Sequence, residues 1–248
     1  MISSRERGSP STPAVGSMTH MCTVVVRWDG MRSPQILALR DEITTREFDD
    51  PEAWWPDLAD VVGGRDRLAG GTWCATRVST GATALVLNLP HKRQADPGAP
   101  SRGRLPLAVV QYGVDWASHV GVDGMASFAL VLAAPDRLVS WVFDGKALTR
   151  HDEQPGTHMF TSGGAEDGKA DRHQAAFESG GYPDGWRSLL RQAAPAADPT
   201  ALVVRHEHDD DVYATVFGQL VEARPGRLRI EYSRRPWTDD PWTTLKLG

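Results

Sequence analysis

The order of local patterns predicts an α+β fold for this chain, with antiparallel sheets and helices packed on their outer faces. Strand patterns open the chain, helix-period segments lie in its middle, and strand patterns return at its end. The strand runs are short and are joined by turn dipeptides such as Asp29-Gly30, Asp144-Gly145 and Pro225-Gly226, which favour hairpins. With 248 residues, 40% of them hydrophobic, the chain can bury a sizeable core.

Residues 22–28 open the folded part as a buried strand, because Thr23, Val24, Val25 and Val26 are β-branched. Residues 35–39 form the second strand, and the turn at Asp29-Gly30 makes the pair a hairpin. That hairpin carries Arg40, Asp41 and Glu42 back toward Cys22. Residues 43–69 read as a loop rich in acids, with two Trp and two Pro. Residues 73–78 and 82–89 flank Ser79-Thr80-Gly81 as another hairpin, and residues 91–103 form a polar loop. Ser101 can cap a helix whose apolar face is Leu105, Ala108, Val109 and Tyr112, with Gly113 as its stop. Short strands follow at 128–133, 138–143, 147–150 and 158–162. Residues 170–177 are helical. A further helix opens after Pro183 and sets Trp186, Leu189, Leu190 and Ala193 on one face. Residues 213–223 and 227–233 close the chain as a hairpin.

Several function classes are excluded. The net charge of −5 offers no basic field to attract nucleic acid. No apolar run approaches the ~20 residues of a membrane span, so no membrane insertion is expected. Two cysteines, Cys22 and Cys74, make no disulfide framework and suit a reducing, cytoplasmic setting. Residues 1–21 are polar, contain Pro and lack an apolar signal core, so they read as a disordered extension or a mis-assigned start ahead of one domain over residues 22–248. Translation from Met21, followed by trimming of that Met before a small residue, leaves Cys22 first. The run His206-Glu207-His208 with Asp209–Asp211 invites a metal reading, but no third ligand at a recognisable spacing accompanies it. It is read as an acidic hairpin loop, with no metal and no cofactor expected.

Cys22 carries the chemistry if it comes first. An N-terminal cysteine holds a thiol and a free α-amine, with reference pKa values of about 8.5 and about 7.7–8.0. The amine can therefore take the thiol's proton without a histidine. Asp41 can hold the α-ammonium, and Arg40 can lower the thiol pKa. Taken alone, without a family, Cys22 reads rather as a small hydrophobe in a first strand, and Arg40-Asp41 as a surface ion pair. Cys74 follows Trp73 in a strand and reads as core.

The chain resembles the NRDE family, relatives of transport and Golgi organisation protein 2. Met21-Cys22-Thr23 with Val24 to Val26 looks like that family's start. Ala38-Leu39-Arg40-Asp41-Glu42 stands where the naming motif belongs, with Leu39 in place of its Asn. Trp55-Pro56-Asp57, Gly64-Arg65-Asp66, Gly70-Gly71-Thr72-Trp73, Ser101-Arg102-Gly103, His158 to Ser162 and Tyr213 to Val216 are similar to later blocks. Gly163 stands where several relatives carry Asn.

The resemblance implies a four-layer αββα sandwich of N-terminal-nucleophile hydrolase type. The Cys start with Arg and Asp at this spacing is similar to bile-salt hydrolases and penicillin V acylases. It implies a small-molecule amide substrate, with Asn88 as an oxyanion donor. Arg102 and Arg104 stand near a helix start, where they can bind an anion or equally serve packing or the surface. A second implication of the family is a binding or trafficking protein for a hydrophobic ligand such as haem or lipid. Oligomeric state and substrate identity do not follow from these residues.

Overall fold

The computed structural model describes residues 22–89, 93–163, 168–208 and 211–247. The extension expected over residues 1–21 lies outside them. Among the described residues, fourteen strands and three α-helices follow in chain order: β1 Thr23–Trp28, β2 Gln35–Ile43, β3 Phe48–Glu52, β4 Val61–Asp66, β5 Cys74–Arg77, β6 Ala82–Asn88, α1 Leu105–Tyr112, β7 Phe128–Ala134, β8 Arg137–Phe143, β9 Leu148–Asp152, β10 Gly156–Thr161, α2 Lys169–Ser179, α3 Asp184–Gln192, β11 Arg205–His208, β12 Asp211–Arg224, β13 Arg227–Ser233 and β14 Thr243–Leu247.

They form two seven-stranded antiparallel sheets. One runs β10-β1-β2-β12-β13-β14, with β11 also paired to β12; the other runs β3-β4-β5-β6-β7-β8-β9 in sequence order. The first sheet draws strands from both ends of the chain, so its centre forms only when β12 inserts beside β2.

Period-2 burial decides the layers. Val24, Val26, Trp28, Ile36 and Ala38 face the second sheet and meet Leu85, Leu87, Val131 and Ala133 there. The alternate residues Val25, Leu37 and Leu39 face outward, against Phe177 of α2 and Trp186 and Leu190 of α3. On the far side α1 lays Leu105, Ala108 and Val109 over Ala75, Ala84, Leu130 and Leu132. The result is the expected α+β sandwich, helix–sheet–sheet–helix.

Several local expectations are corrected. Residues 43–69 are not a loop: they hold β3, a 3-10 turn at Pro56–Leu58 and β4. Their strand signal is masked because β3 carries acids that pair across the sheet, Asp49 with Arg65 at 2.6 Å and with Arg67 at 2.6 Å. In β4, Gly63 and Gly64 interrupt the apolar pattern because their neighbours leave no room: a Cβ on Gly63 would lie 2.3 Å from the Cys74 carbonyl oxygen. The second strand does not end at Leu39 but runs on to Ile43, held by β12 on its other edge. The chain does not close with 227–233, since β14 adds to β13 as an edge strand. The segment around His206, read as a loop, is strand β11, although Asp209 and Asp210 lie outside the described residues.

Candidate active site

β1 and β2 pair with Thr23 opposite Leu39, which places Cys22 beside Arg40 and Asp41. The Asp41 backbone N–H donates to Cys22 Sγ at 3.4 Å, so the two residues touch although they stand 19 positions apart. By alternation Cys22 follows the inward set of Val24 and Val26 and packs on the inter-sheet core. A cavity of about 240 Å³ opens there between the sheets at one end. Cys22, Arg40, Asp41, Asn88 and Arg102 all line it, with Glu42, Arg46, Asp66, Thr72 and Trp73. The five residues singled out in the sequence are therefore brought to one place.

Arg40 is buried and sits between two rings, 4.9 Å from the Phe48 centroid and 4.7 Å from that of Trp73. Its Nη2 reaches Glu42 at 3.3 Å and Asp66 at 3.4 Å. Asp66 also accepts from Arg46 through Nε at 2.6 Å and Nη2 at 3.1 Å. Burial pushes the Asp66 carboxyl up, but Arg46 and the Ala69 N–H outweigh it, leaving the group below the ordinary carboxylate range. Two arginines and two acids thus neutralise one another in the cavity wall. Among the described residues, no acceptor meets Arg40 Nη1 or the indole N–H of Trp73, both buried.

Arg102 enters from the segment before α1. Gly71 and Gly103 make that approach possible: a Cβ on Gly71 would lie 2.5 Å from the Gly103 carbonyl carbon, and Thr72 N–H donates to Gly103 O at 2.8 Å. Ser101 Oγ accepts from Gly103 N–H at 3.2 Å, and Arg102 Nη1 donates to Ser127 O at 2.8 Å. Among the described residues no carboxylate lies within ion-pair distance of Arg102. Asn88, at the end of β6, sits opposite Phe128 of β7 and is among the residues lining the cavity.

The Cys22 thiol is not primed while the chain continues in front of it. Burial, then the Asp41 carboxylate, push it up to about 12, and the opposing pull of Arg40 is smaller. Arg40 lowers the thiol pKa as expected, but the desolvation of Cys22 outweighs it. Burial likewise lifts the core thiol of Cys74 to about 12.

The Asp41 backbone meets Cys22 at the cavity, while its carboxylate turns to the other side of the strand, toward α2. Its Oδ1 accepts from Thr215 Oγ1 at 2.6 Å. Burial raises its carboxyl to about 6 against the pull of Lys169, the Thr215 bond and Arg40. Lys169, the first residue of α2, is fully buried, and its Nζ donates to Thr23 Oγ1 at 3.2 Å. Sequence reasoning misses Lys169, because a lone Lys after a Gly-rich stretch carries no periodic or motif signal.

Among the described residues no helix is long and apolar enough to cross a membrane. A family model described as transport and Golgi organisation 2 matches residues 21–179. No curated protein matches the chain.

Proposed function

The chain belongs to the transport and Golgi organisation 2 family, and we propose that it is an amidohydrolase cleaving linear, non-peptide C–N bonds through a Cys22 thioester once Cys22 is the first residue. The observation that carries this reading is the single small cavity shared by Cys22, Arg40, Asp41, Asn88 and Arg102. The high thiol pKa fits a site that stays silent until its base appears. Freed, the α-amine takes the Sγ proton, and the thiolate adds to the substrate carbonyl carbon, forming a C–S bond and an oxyanion. Asn88 donates to that oxyanion. As the C–N bond breaks, the α-ammonium returns the proton to the leaving amine. Water, deprotonated by the α-amine, then cleaves the thioester to a carboxylic acid and restores the thiol. Asp41 holds the α-ammonium between these steps.

Arg102, which has no acid of its own among the described residues, is assigned to an anionic group on the substrate. Arg40 Nη1 and Trp73 Nε1 add donors for acceptor oxygens. The cavity is charged and, at about 240 Å³, falls below the ~300–1,000 Å³ of ordinary ligand pockets. These features favour a small polar amide there over haem or lipid. The carrier reading rests instead on a separate groove of about 340 Å³ under α2 and α3, floored by Phe177, Leu189 and Leu202.

Site-resolved labelling with iodoacetamide near neutral pH tests the proposal on chains beginning at Cys22 and on chains extended before it. Cys22 of the shorter form is expected to react at least about tenfold faster than Cys74, and the extension to remove that advantage. Equal labelling of Cys22 in the two forms would sink the mechanism and leave the carrier reading.

A further inference from the structure

The helix side of the first sheet, behind Cys22, holds a cluster of buried polar side chains beside the apolar contacts of α2 and α3. Thr23 and Asp41 lie on this face of adjacent strands, since Thr23 pairs with Leu39 and Asp41 is the next residue on the same side. Thr215 of β12 pairs directly with Asp41. Lys169 descends onto them from α2, which lies against β10 and β1. Thr23, Asp41, Lys169 and Thr215 are all buried. A lysine with no exposure is costly unless its ammonium meets oxygen acceptors and an opposite charge. Thr23 Oγ1 supplies an oxygen and Asp41 the charge.

We propose that Lys169 is a positioning residue for the Cys22 site, holding Asp41 in its ionised form so that the carboxylate can anchor the α-ammonium of Cys22. This rests on the reading of Asp41 given above. One oxygen of the carboxylate, Oδ1, is taken by Thr215. The other, Oδ2, is buried and meets no hydrogen-bond donor among the described residues, so it is open to a further cation. Without Lys169 this carboxyl, buried on the helix side of the sheet, would take up a proton near neutral pH and lose its hold on an ammonium.

The charged and titratable groups facing Asp41 come from every element around it. They are the thiol of Cys22, Arg40 on its own strand, Tyr213 of β12, whose hydroxyl donates to the Asp41 carbonyl at 2.8 Å, and Lys169 of α2. His173, one turn further along α2, lies in the field of Lys169 and is itself held below the usual histidine range, first by burial. Of these, Lys169 makes the largest charge contribution to Asp41 and acts to keep it ionised.

The test follows the Asp41 carboxyl carbon by NMR through a pH titration of the full chain, with the resonance assigned by its loss in Asp41→Asn. The native midpoint is expected near 6. Lys169→Met, an apolar side chain of similar length, is expected to raise it by about one pH unit or more, a tenfold change in proton affinity. Lys169→Arg is expected to restore it. Lys169→Gln provides a second uncharged variant should the Met form not fold. A folded uncharged variant whose midpoint stays within about 0.3 pH units of the native one overturns the proposal.

A second arm measures iodoacetamide labelling of Cys22 against pH in chains beginning at Cys22. Its acid limb is expected to move upward with the Asp41 midpoint in Lys169→Met. If Asp41→Asn leaves labelling unchanged, the catalytic reading of Asp41 fails on its own, while the coupling of Lys169 to Asp41 is still judged by the carboxyl titration. A limb that depends on Asp41 but ignores Lys169 overturns the positioning role.

Discussion

Replacing Asp41 with Asn should stabilise the protein and disable Cys22 at the same time. Asp41 is buried, and its carboxyl rises from 3.8 to about 6 in the fold. A group with a raised folded pKa binds its proton more tightly in the native state. Its favourable contribution is therefore complete below about pH 3.8 and is lost as pH rises through about 6. Above that, the carboxylate must stay charged while buried. A tenfold change in proton affinity corresponds to about 1.36 kcal/mol, so the rise to about 6 costs about 3 kcal/mol. The attraction of Lys169 is already contained in the value of about 6. Asn keeps an oxygen for the Thr215 hydroxyl, which donates at 2.6 Å, but buries an amide N–H group in place of a carboxylate oxygen, so the net gain at neutral pH should be nearer 1–2 kcal/mol. Urea unfolding of the native chain and Asp41→Asn at several pH values reads this directly. The gap between them should widen in favour of Asn by about 2 kcal/mol between roughly pH 4.5 and pH 7.5. A gap that stays flat over that window, or widens in favour of Asp, would show that Asp41 is not a strained carboxylate and refute the reasoning.

Two further substitutions probe the frame around the site, with a third as their control. Gly63→Ala should cost about 3 kcal/mol, because the new Cβ meets the Cys74 backbone oxygen at 2.3 Å and backbone cannot step aside. Gly70→Ala should cost only roughly 1–2 kcal/mol, since its surroundings are open and only its φ of +69° resists a side chain; denaturant midpoints compare the two. Trp186→Ala should lose about 3–5 kcal/mol in thermal or urea unfolding. That Trp is fully buried, donates to Phe177 O at 2.9 Å and stacks edge-on to Phe177 and Tyr182.

Local chemistry alone determined much of this molecule. The β-branched run after Cys22, the turn at Asp29-Gly30 and the Trp186–Leu190 face each carry their own period or turn signal, so the first hairpin and the α3 face were legible. The hairpin also brought Arg40 and Asp41 back to Cys22, because antiparallel register is set by the turn and the buried face. Long-range contacts decided the rest. β3 and β4 were hidden because their residues are chosen for partners elsewhere: acids for Arg65 and Arg67, glycines for the approach of β5. The length of β2 and the identity of its neighbour depended on β12, whose paired residues lie at least 170 positions away. The thiol's pKa could not be read from the neighbouring Arg40, because the desolvation that outweighs it comes from two sheets closing over Cys22. Lys169 shows this limit most plainly. Nothing in its sequence surroundings distinguishes it, and only the seating of α2 on β1 turns an ordinary lysine into a buried cation beside Thr23 and Asp41.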